Sequence, residues 1–183
     1  QANPHNIDWL ILATNLRDKL REKISYIGEP IGKVSGKELK NLRFSHPLMK
    51  LGGTYDREAV CIDAEYVDLE SGTGVVHCAP AHGLDDFTSY KDGGFSNLPI
   101  LNLVSETGFF HEHVEKFAGL KIWEANKKIL ETLKKCNTLL DVEKINHSTM
   151  HCWRHKTATI YRATEQWFIS MDTKGQNNVS LRE

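Results

Sequence analysis

The chain has 183 residues, of which 40% are hydrophobic and 26% charged, values typical of a globular domain and not of a disordered chain. Its 23 Lys and Arg against 24 Asp and Glu leave a net charge of −1, so no overall basic field attracts a polyanion. The four cysteines form no CxxC pair, and no apolar run is long enough to span a bilayer. We therefore expect a cytoplasmic protein with no membrane partner.

Two segments have the apolar spacing of amphipathic helices, and a shorter helical segment is predicted between them. The first is predicted over 16–25, where Leu16, Leu20 and Ile24 share a face and where Thr14 or Asn15 can cap the helix. One or two helical turns are predicted over 84–91. The third helix is predicted over 122–136, with these apolar residues on one face: Ile122, Ala125, Ile129, Leu133 and Cys136.

Short apolar runs between turn residues predict strands. They lie at 9–13, 31–35, 42–46, 59–67, 73–78, 98–104, 139–145 and 157–162. Many short strands with a few separated helices indicate an α+β fold, either a mixed sheet or a small barrel with helices packed outside.

The motif at 72–87 reads Gly-Thr-Gly-Val-Val-His-Cys-Ala-Pro-Ala-His-Gly-Leu-Asp-Asp-Phe and is the densest unusual segment. Small residues let a ligand approach the backbone, and an Asp that points into a pocket can bind an ammonium group. A purely structural interpretation stays open, because Asp85 and Asp86 also lie where first-turn acids offset the helix dipole. His77 is equally compatible with an ordinary strand histidine.

Other sites have weaker support in the sequence. A metal site could draw on His77, His82 and Asp86, or on the crowded group His147, His151, Cys152 and His155. Neither group has a CxxC or HExxH spacing, so we expect no metal. Cys78 adjoins His77, but neighbours on a strand point to opposite faces and do not form a catalytic pair.

The segment 147–172 mixes basic and aromatic residues, among them Trp153, Arg154, Tyr161 and Trp167. Such a mixture suits base stacking and phosphate contact with the end of a single-stranded nucleic acid. A core strand with an exposed edge would give the same composition, so both interpretations stay open.

These residues support a family resemblance. The 72–87 motif closely resembles the editing-domain signature of isoleucyl-tRNA synthetases. Cys-Trp-Arg-His-Lys-Thr at 152–157 and Ile-Tyr-Arg-Ala-Thr-Glu-Gln-Trp-Phe-Ile-Ser-Met at 160–171 resemble the end of the same insertion, in the form closest to bacterial members. Arg-Phe-Ser-His-Pro at 43–47 also fits, so the resemblance covers nearly the whole chain.

The resemblance implies a small β-barrel with flanking helices and a post-transfer editing activity. In that reaction, water attacks the ester of valine wrongly attached to isoleucine tRNA, and a pocket too small for isoleucine provides selectivity. Residues 1–172 would form the editing domain, truncated at its N-terminal side. Residues 173–183 would be a polar linker or tail toward the catalytic domain.

The resemblance also assigns roles by motif position. Asp86 is expected to bind the α-ammonium of the substrate, and His77 to shape the pocket and contact the terminal ribose or the aminoacyl group; these two are the predicted catalytic residues. The predicted substrate-binding residues are Gly74, Val76, His77, Ala79, Pro80, Ala81, His82, Asp85 and Asp86.

The implied partners are the acceptor end of isoleucine tRNA carrying valine and the catalytic domain of the same polypeptide. No cofactor is expected in this chain, since ATP and Mg²⁺ would belong to that catalytic domain. The family carries a Thr-rich segment that has no counterpart before Trp9. The alternative is therefore a non-catalytic module that binds the tRNA 3′ end.

Overall fold

The computed structural model describes residues 9–174 and 178–182, and within them the chain has an α+β fold. The regular elements in chain order are α1 (Arg17–Lys23), β1 (Arg43–Ser45), β2 (Glu58–Val60), α2 (Leu84–Tyr90) and α3 (Ile122–Lys135). Short 3₁₀ helices occur at Thr14–Leu16, Gly36–Leu39, Met49–Leu51 and Gly53–Tyr55. A π-helical turn, Lys91–Phe95, continues α2.

The two apolar residues that flank helix α1, both on the predicted apolar face, are buried. Leu16 and Ile24, two turns apart, are 2% and 5% exposed. The predicted cap is wrong, because Thr14 and Asn15 lie inside the 3₁₀ turn Thr14–Leu16 and no side-chain hydrogen bond caps either that turn or α1. The chain therefore enters α1 through a tighter turn that uses backbone groups instead of a side-chain cap.

The core packs against helix α3. Leu48, Tyr55, Val114 and Phe117 form a buried cluster, and the rings of Tyr55 and Phe117 meet edge to face at 6.2 Å. Partly buried side chains surround this cluster: Leu51, Leu103, Phe110, Leu120, Ile129, Leu133 and Cys136. The last three are on the face of α3 that the apolar spacing predicts, so that prediction is confirmed.

Strands β1 and β2 form one antiparallel pair. Arg43 pairs with Val60, Phe44 with Ala59 and Ser45 with Glu58. Backbone hydrogen bonds of 2.8–3.0 Å extend the pairing beyond both ends. The predicted strand 42–46 is confirmed, whereas only the start of 59–67 is a strand.

The other predicted strands are not regular strands. Trp9 is 68% exposed, so the prediction of a buried strand at 9–13 is wrong. The runs at 98–104 and 157–162 contribute only the isolated bridges Val104–Phe110 and His151–Ala158 to β pairing in the described residues. The two runs do form backbone hydrogen bonds with neighbouring segments, such as Thr159 N–H to the Met150 carbonyl at 2.9 Å, but these bonds do not extend into a regular ladder. No closed barrel forms in the described residues, and the predicted small β-barrel is not confirmed.

Part of the predicted tail at 173–183 turns back on the chain. The Arg182 guanidinium donates to Asp172 Oδ1 at 2.6 Å, and its backbone N–H donates to the Met171 carbonyl at 3.2 Å. Residues 1–8, 175–177 and 183, which fall within the predicted segments 1–172 and 173–183, lie outside the described residues. None of the described helices is both long and apolar enough to cross a membrane.

Candidate functional site

A backbone turn sets the start of α2 within the 72–87 motif. The Ala79 carbonyl accepts the N–H groups of His82 (2.8 Å) and Gly83 (3.1 Å), and the helix begins at the next residue. This start places Asp85 and Asp86 in the first turn of α2, where the helix dipole favours negative charge. The two acids are therefore placed to offset the helix dipole, as the structural interpretation of the motif predicts. This role is compatible with a second one in binding a ligand.

The two oxygens of the Asp86 carboxylate have different neighbours: Oδ1 accepts a hydrogen bond, and Oδ2 lies close to Gly83. Tyr66 Oη donates to Asp86 Oδ1 at 2.6 Å. A Cβ atom placed on Gly83 would lie only 2.3 Å from Asp86 Oδ2, so this oxygen occupies the space that any larger residue would fill. The Cys78 thiol is also close, and it donates to the backbone carbonyl of Asp86 with an Sγ–O distance of 3.6 Å.

A cavity of about 400 Å³ opens beside this carboxylate. Its lining consists of Tyr66, Gly83, Leu84, Asp85, Asp86 and Tyr161. That volume lies within the range of small-molecule sites and is large enough for an amino acid ester. Two carboxylates at the wall make the cavity suitable for a cationic group rather than an anionic one.

Tyr161 reaches the cavity from a distant part of the chain. His82 Nδ1 donates to the Tyr161 carbonyl at 3.0 Å, and the Ala163 N–H donates to the Ala81 carbonyl at 2.7 Å. Arg162 Nε donates to the Val104 carbonyl at 2.8 Å. The contacts of His82 and Ala81 join the 72–87 motif to the basic and aromatic segment, although the two are separate features of the sequence.

Two groups beside Asp86 have shifted acidities. Burial first, and then the hydrogen bond and negative charge of Asp86, raise the pKa of Tyr66 above its ordinary value. Its hydroxyl therefore stays protonated and acts as a donor at neutral pH. Burial, followed by the charge of Asp86, also raises the pKa of the Cys78 thiol.

The acidity of Cys78 gives a direct test of this geometry. The thiolate is the form that reacts with iodoacetamide, so a raised pKa slows alkylation. We expect Asp86→Asn to increase the alkylation rate of Cys78 at pH 8, because the variant removes one cause of the raised pKa. Site-resolved mass spectrometry measures the rate, with Cys136 as the internal reference. An unchanged ratio of the two rates would mean that Asp86 does not act on the thiol.

The remaining predicted residues lie outside the lining of this cavity. Gly74 has φ +76° and abuts the segment before α1, since an added Cβ would lie 2.5 Å from Ala13 Cβ. Val76 and His77 are exposed. His77 is close enough to His46 to contribute, after burial and Arg57, to the lowered pKa of His46. The proposed role of His77 at the substrate stays a prediction.

Ala79, Pro80, Ala81 and His82 form the turn and not the cavity wall. Ala81 is buried, whereas Ala79, Pro80 and His82 are half-buried. Their backbone groups and the His82 ring hold α2 and Tyr161 in place, as described above. These four predicted substrate-binding residues therefore do not line the cavity. They position α2 and Tyr161, which do.

The described residues contain no group of three or more His, Cys, Asp or Glu side chains that could hold a metal ion. In the histidine-rich segment, His151 Nδ1 donates to the Thr149 carbonyl at 2.9 Å, and Cys152 Sγ lies 3.4 Å from His155 Nδ1. Trp153 is 75% exposed, with the Arg154 guanidinium 4.9 Å from its ring centre. An exposed aromatic and cation pair remains available for contact with a partner.

A second and larger cavity of about 710 Å³ lies between the start of α3 and the 157–160 run. It is bordered by Lys121, Trp123 and Thr157 among others, and it contains none of the predicted site residues. The cavity beside Asp86, whose wall includes Asp85 and Asp86 of the 72–87 motif, is therefore the better candidate site.

Tyr66 lines the candidate site and contacts Asp86, and the sequence does not single it out. It lies 20 residues before Asp86, in a run predicted only as a strand. No motif or spacing marks a lone tyrosine as the partner of a distant carboxylate, so only the structure brings the two together.

No protein-family model matches the chain. Curated proteins similar to it include the isoleucine–tRNA ligase of Bordetella petrii, 48% identical over 157 residues, or 85% of this chain and 16% of that protein. The isoleucine–tRNA ligase of Paraburkholderia phymatum is 45% identical over 175 residues, or 95% of this chain and 18% of that protein. Isoleucine–tRNA ligase 1 of Burkholderia pseudomallei is 43% identical over the same length. The chain thus spans less than a fifth of the length of these relatives, and the predicted resemblance is confirmed.

Proposed function

Because the chain is homologous to a segment of the isoleucine–tRNA ligases, we propose that it is an editing domain that hydrolyses valine from mischarged isoleucine tRNA. The observation that carries this proposal is the restrained Asp86 carboxylate at the wall of a small cavity. An aminoacyl ester carries one cationic group near the bond to be cut, its protonated α-amine, and a fixed carboxylate is a suitable partner for that group.

The reaction needs position more than a strong protein base. The water oxygen bonds to the ester carbonyl carbon, the ester C–O bond breaks, and the proton lost by water ends on the ribose oxygen. The products are free valine and the tRNA with its terminal hydroxyl restored. Holding the ammonium at Asp86 fixes the carbonyl relative to an attacking water, and such positioning alone can supply several kcal/mol.

The other assignments extend the same proposal. His77 would contact the terminal ribose or the aminoacyl group, and the backbone around Gly74 to Ala81 would lie against the substrate. The partners would be the acceptor end of isoleucine tRNA and the catalytic domain of the same polypeptide, where ATP is used. Residues 1–172 would belong to the editing domain and 173–183 to the connection with that catalytic domain.

A deacylation assay tests the proposal. We would assay the chain, and a chimaera in which it replaces the matching 157-residue segment of the Bordetella petrii enzyme, on valyl and isoleucyl esters of isoleucine tRNA. Fast release of valine with slow release of isoleucine is the expected result. If both proteins bind the tRNA end and hydrolyse neither ester, the non-catalytic binding module is the better description. Equal hydrolysis of both esters would contradict size selection.

The contact between Gly83 and Asp86 gives a prediction that leaves the carboxylate chemically intact. Gly83→Ala adds a Cβ 2.3 Å from Asp86 Oδ2, and the flexible side chain must turn away to relieve the contact. We expect kcat/KM for valyl ester hydrolysis to fall by about tenfold to 100-fold, the scale of a 1 Å misplacement. The matched control is Gly32→Ala, since a Cβ there meets nothing within 4 Å. Equal activity of the two variants would contradict the steric argument.

A further inference from the structure

Tyr66 makes a contact that the proposed reaction does not by itself require. Its hydroxyl donates to Asp86 Oδ1 at 2.6 Å, a short distance typical of a hydrogen bond to a charged carboxylate. The tyrosine comes from the segment between β2 and the 72–87 motif, so the contact joins two parts of the chain that are distant in sequence.

We propose that Tyr66 is a positioning residue that fixes the Asp86 carboxylate in the orientation in which it binds the substrate ammonium. This inference rests on the proposed function. Tyr66 donates to Oδ1, and Oδ2 lies beside Gly83, where the missing Cβ leaves room for it, so the hydrogen bond restrains the carboxylate in this orientation. A carboxylate restrained in this way loses less conformational freedom when the ammonium binds.

A neutral hydroxyl suits the positioning of Asp86 better than a cationic side chain would. An Arg or Lys at position 66 would also occupy Oδ1, but its charge would neutralise the carboxylate and weaken attraction for the ammonium. A neutral hydroxyl restrains the carboxylate and leaves its negative charge available. The raised pKa of Tyr66 supports this role, because the proton stays on the hydroxyl throughout the neutral range.

The same observation argues against Tyr66 as a base. A tyrosine whose pKa is raised by burial and by a neighbouring carboxylate holds its proton more firmly, so it is a poor acceptor for the proton of an attacking water. Its hydroxyl hydrogen is already directed at Asp86 Oδ1. Tyr66 therefore acts through Asp86 and not on the ester.

The test compares two substrates that differ only in the cation. Tyr66→Phe keeps the ring that lines the cavity and removes the hydroxyl. For valyl-tRNA we expect kcat/KM to fall by about tenfold, the scale of one lost hydrogen bond to a charged group. For the α-hydroxyisovaleryl ester of the same tRNA, in which a hydroxyl replaces the ammonium, we expect wild type and Tyr66→Phe to be equal. Both measurements use the chain and the chimaera described above.

Two further variants complete the design. Tyr90→Phe removes a hydroxyl from the same helix as Asp86 and keeps the ring that stacks on Phe95, so it is the matched control and should leave kcat/KM unchanged. In an Asp86→Asn background, Tyr66→Phe should cause no further loss on the valyl ester, because a positioning residue acts only through its partner.

Each outcome decides the inference. A loss on the valyl ester alone supports positioning of the carboxylate for the ammonium. An equal loss on both esters indicates a general structural role and overturns it, as does no loss on either. If Asp86→Asn itself has wild-type activity on valyl-tRNA, the proposed function fails whatever Tyr66→Phe does. If Asp86→Asn is inactive and Tyr66→Phe is unaffected, only the inference about Tyr66 fails.

Discussion

Asp86→Asn is expected to lose at least about 30-fold in kcat/KM for valyl ester hydrolysis, because removing one partner of a partly desolvated charge pair costs about 2–5 kcal/mol. The substitution keeps the volume of the side chain, and its amide oxygen can still accept the Tyr66 hydroxyl. The fold should therefore survive, and the loss should reflect the missing negative charge. The measurement is single-turnover release of valine from isoleucine tRNA, with circular dichroism as the check on folding.

Asp92→Asn is the matched control for that experiment. Asp92 is an exposed carboxylate in the π-helical turn that continues α2, so its neutralisation changes the net charge by the same amount. We expect wild-type hydrolysis from this variant, since Asp92 is exposed to solvent and does not line the cavity. A comparable loss in the two variants would point to overall charge and tRNA attraction. Full activity of Asp86→Asn would exclude Asp86 as the ammonium ligand.

The helices were predictable from the sequence because their signals are local. The spacing of Leu16 and Ile24, and that of Ile129 and Leu133, depends only on residues three to eight positions apart. The bounds moved by two residues or fewer, and the 3₁₀ turn Thr14–Leu16 precedes α1 where the sequence predicts a side-chain cap. Such a turn depends on how the preceding segment packs against the rest of the chain, and the helix propensities of the residues do not predict that packing.

The strands were less predictable because a strand exists only through its partner. The runs at 73–78 and 139–145 have suitable apolar residues, but the described residues provide no ladder for either of them. Arg43–Ser45 and Glu58–Val60 do pair, and the short connection between them keeps the loss of loop entropy small. Pairing across longer separations is the information that a single sequence does not provide.

The candidate site also combines features with a local signal in the sequence and features that depend on long-range contacts. The acids at the start of α2 were predictable, since the helix start and the motif are contiguous in the sequence. Tyr66 and the approach of Tyr161 were not, because they depend on hydrogen bonds across 20 and 79 residues. His77 shows the reverse case, a residue assigned by motif position that the described structure leaves exposed and outside the lining of the cavity.

The cavity also depends on the core, although the two share no residue. Leu103 packs against the core cluster, and its neighbour Asn102 donates to the Ala163 carbonyl at 3.1 Å. That contact, with the bond from Arg162 to the Val104 carbonyl, holds the segment that brings Tyr161 to the cavity. Loss of core packing should therefore loosen one wall of the site as well as destabilise the fold.

Phe117→Ala tests this dependence and is expected to lower the free energy of unfolding by about 3–5 kcal/mol, the usual cost of truncating a buried Phe. Phe117 is 3% exposed and contacts the rings of Tyr55 and Phe110 at 6.2 and 6.0 Å. Only nine hydrophobic side chains of the described residues are buried, so each carries a large share of the packing energy. Thermal unfolding should show a Tm lower by roughly 6–20 °C for a chain of this size.

The control is Phe168→Ala, the same truncation at a residue that is 86% exposed. Its effect on the free energy of unfolding should stay within about 0.5 kcal/mol, as for most surface substitutions. Equal destabilisation by the two variants would mean that Phe168 is covered in solution and that the core cluster is not the main source of stability. If Phe117→Ala is destabilised but hydrolyses the valyl ester normally at low temperature, the link between core and cavity through Leu103 is absent.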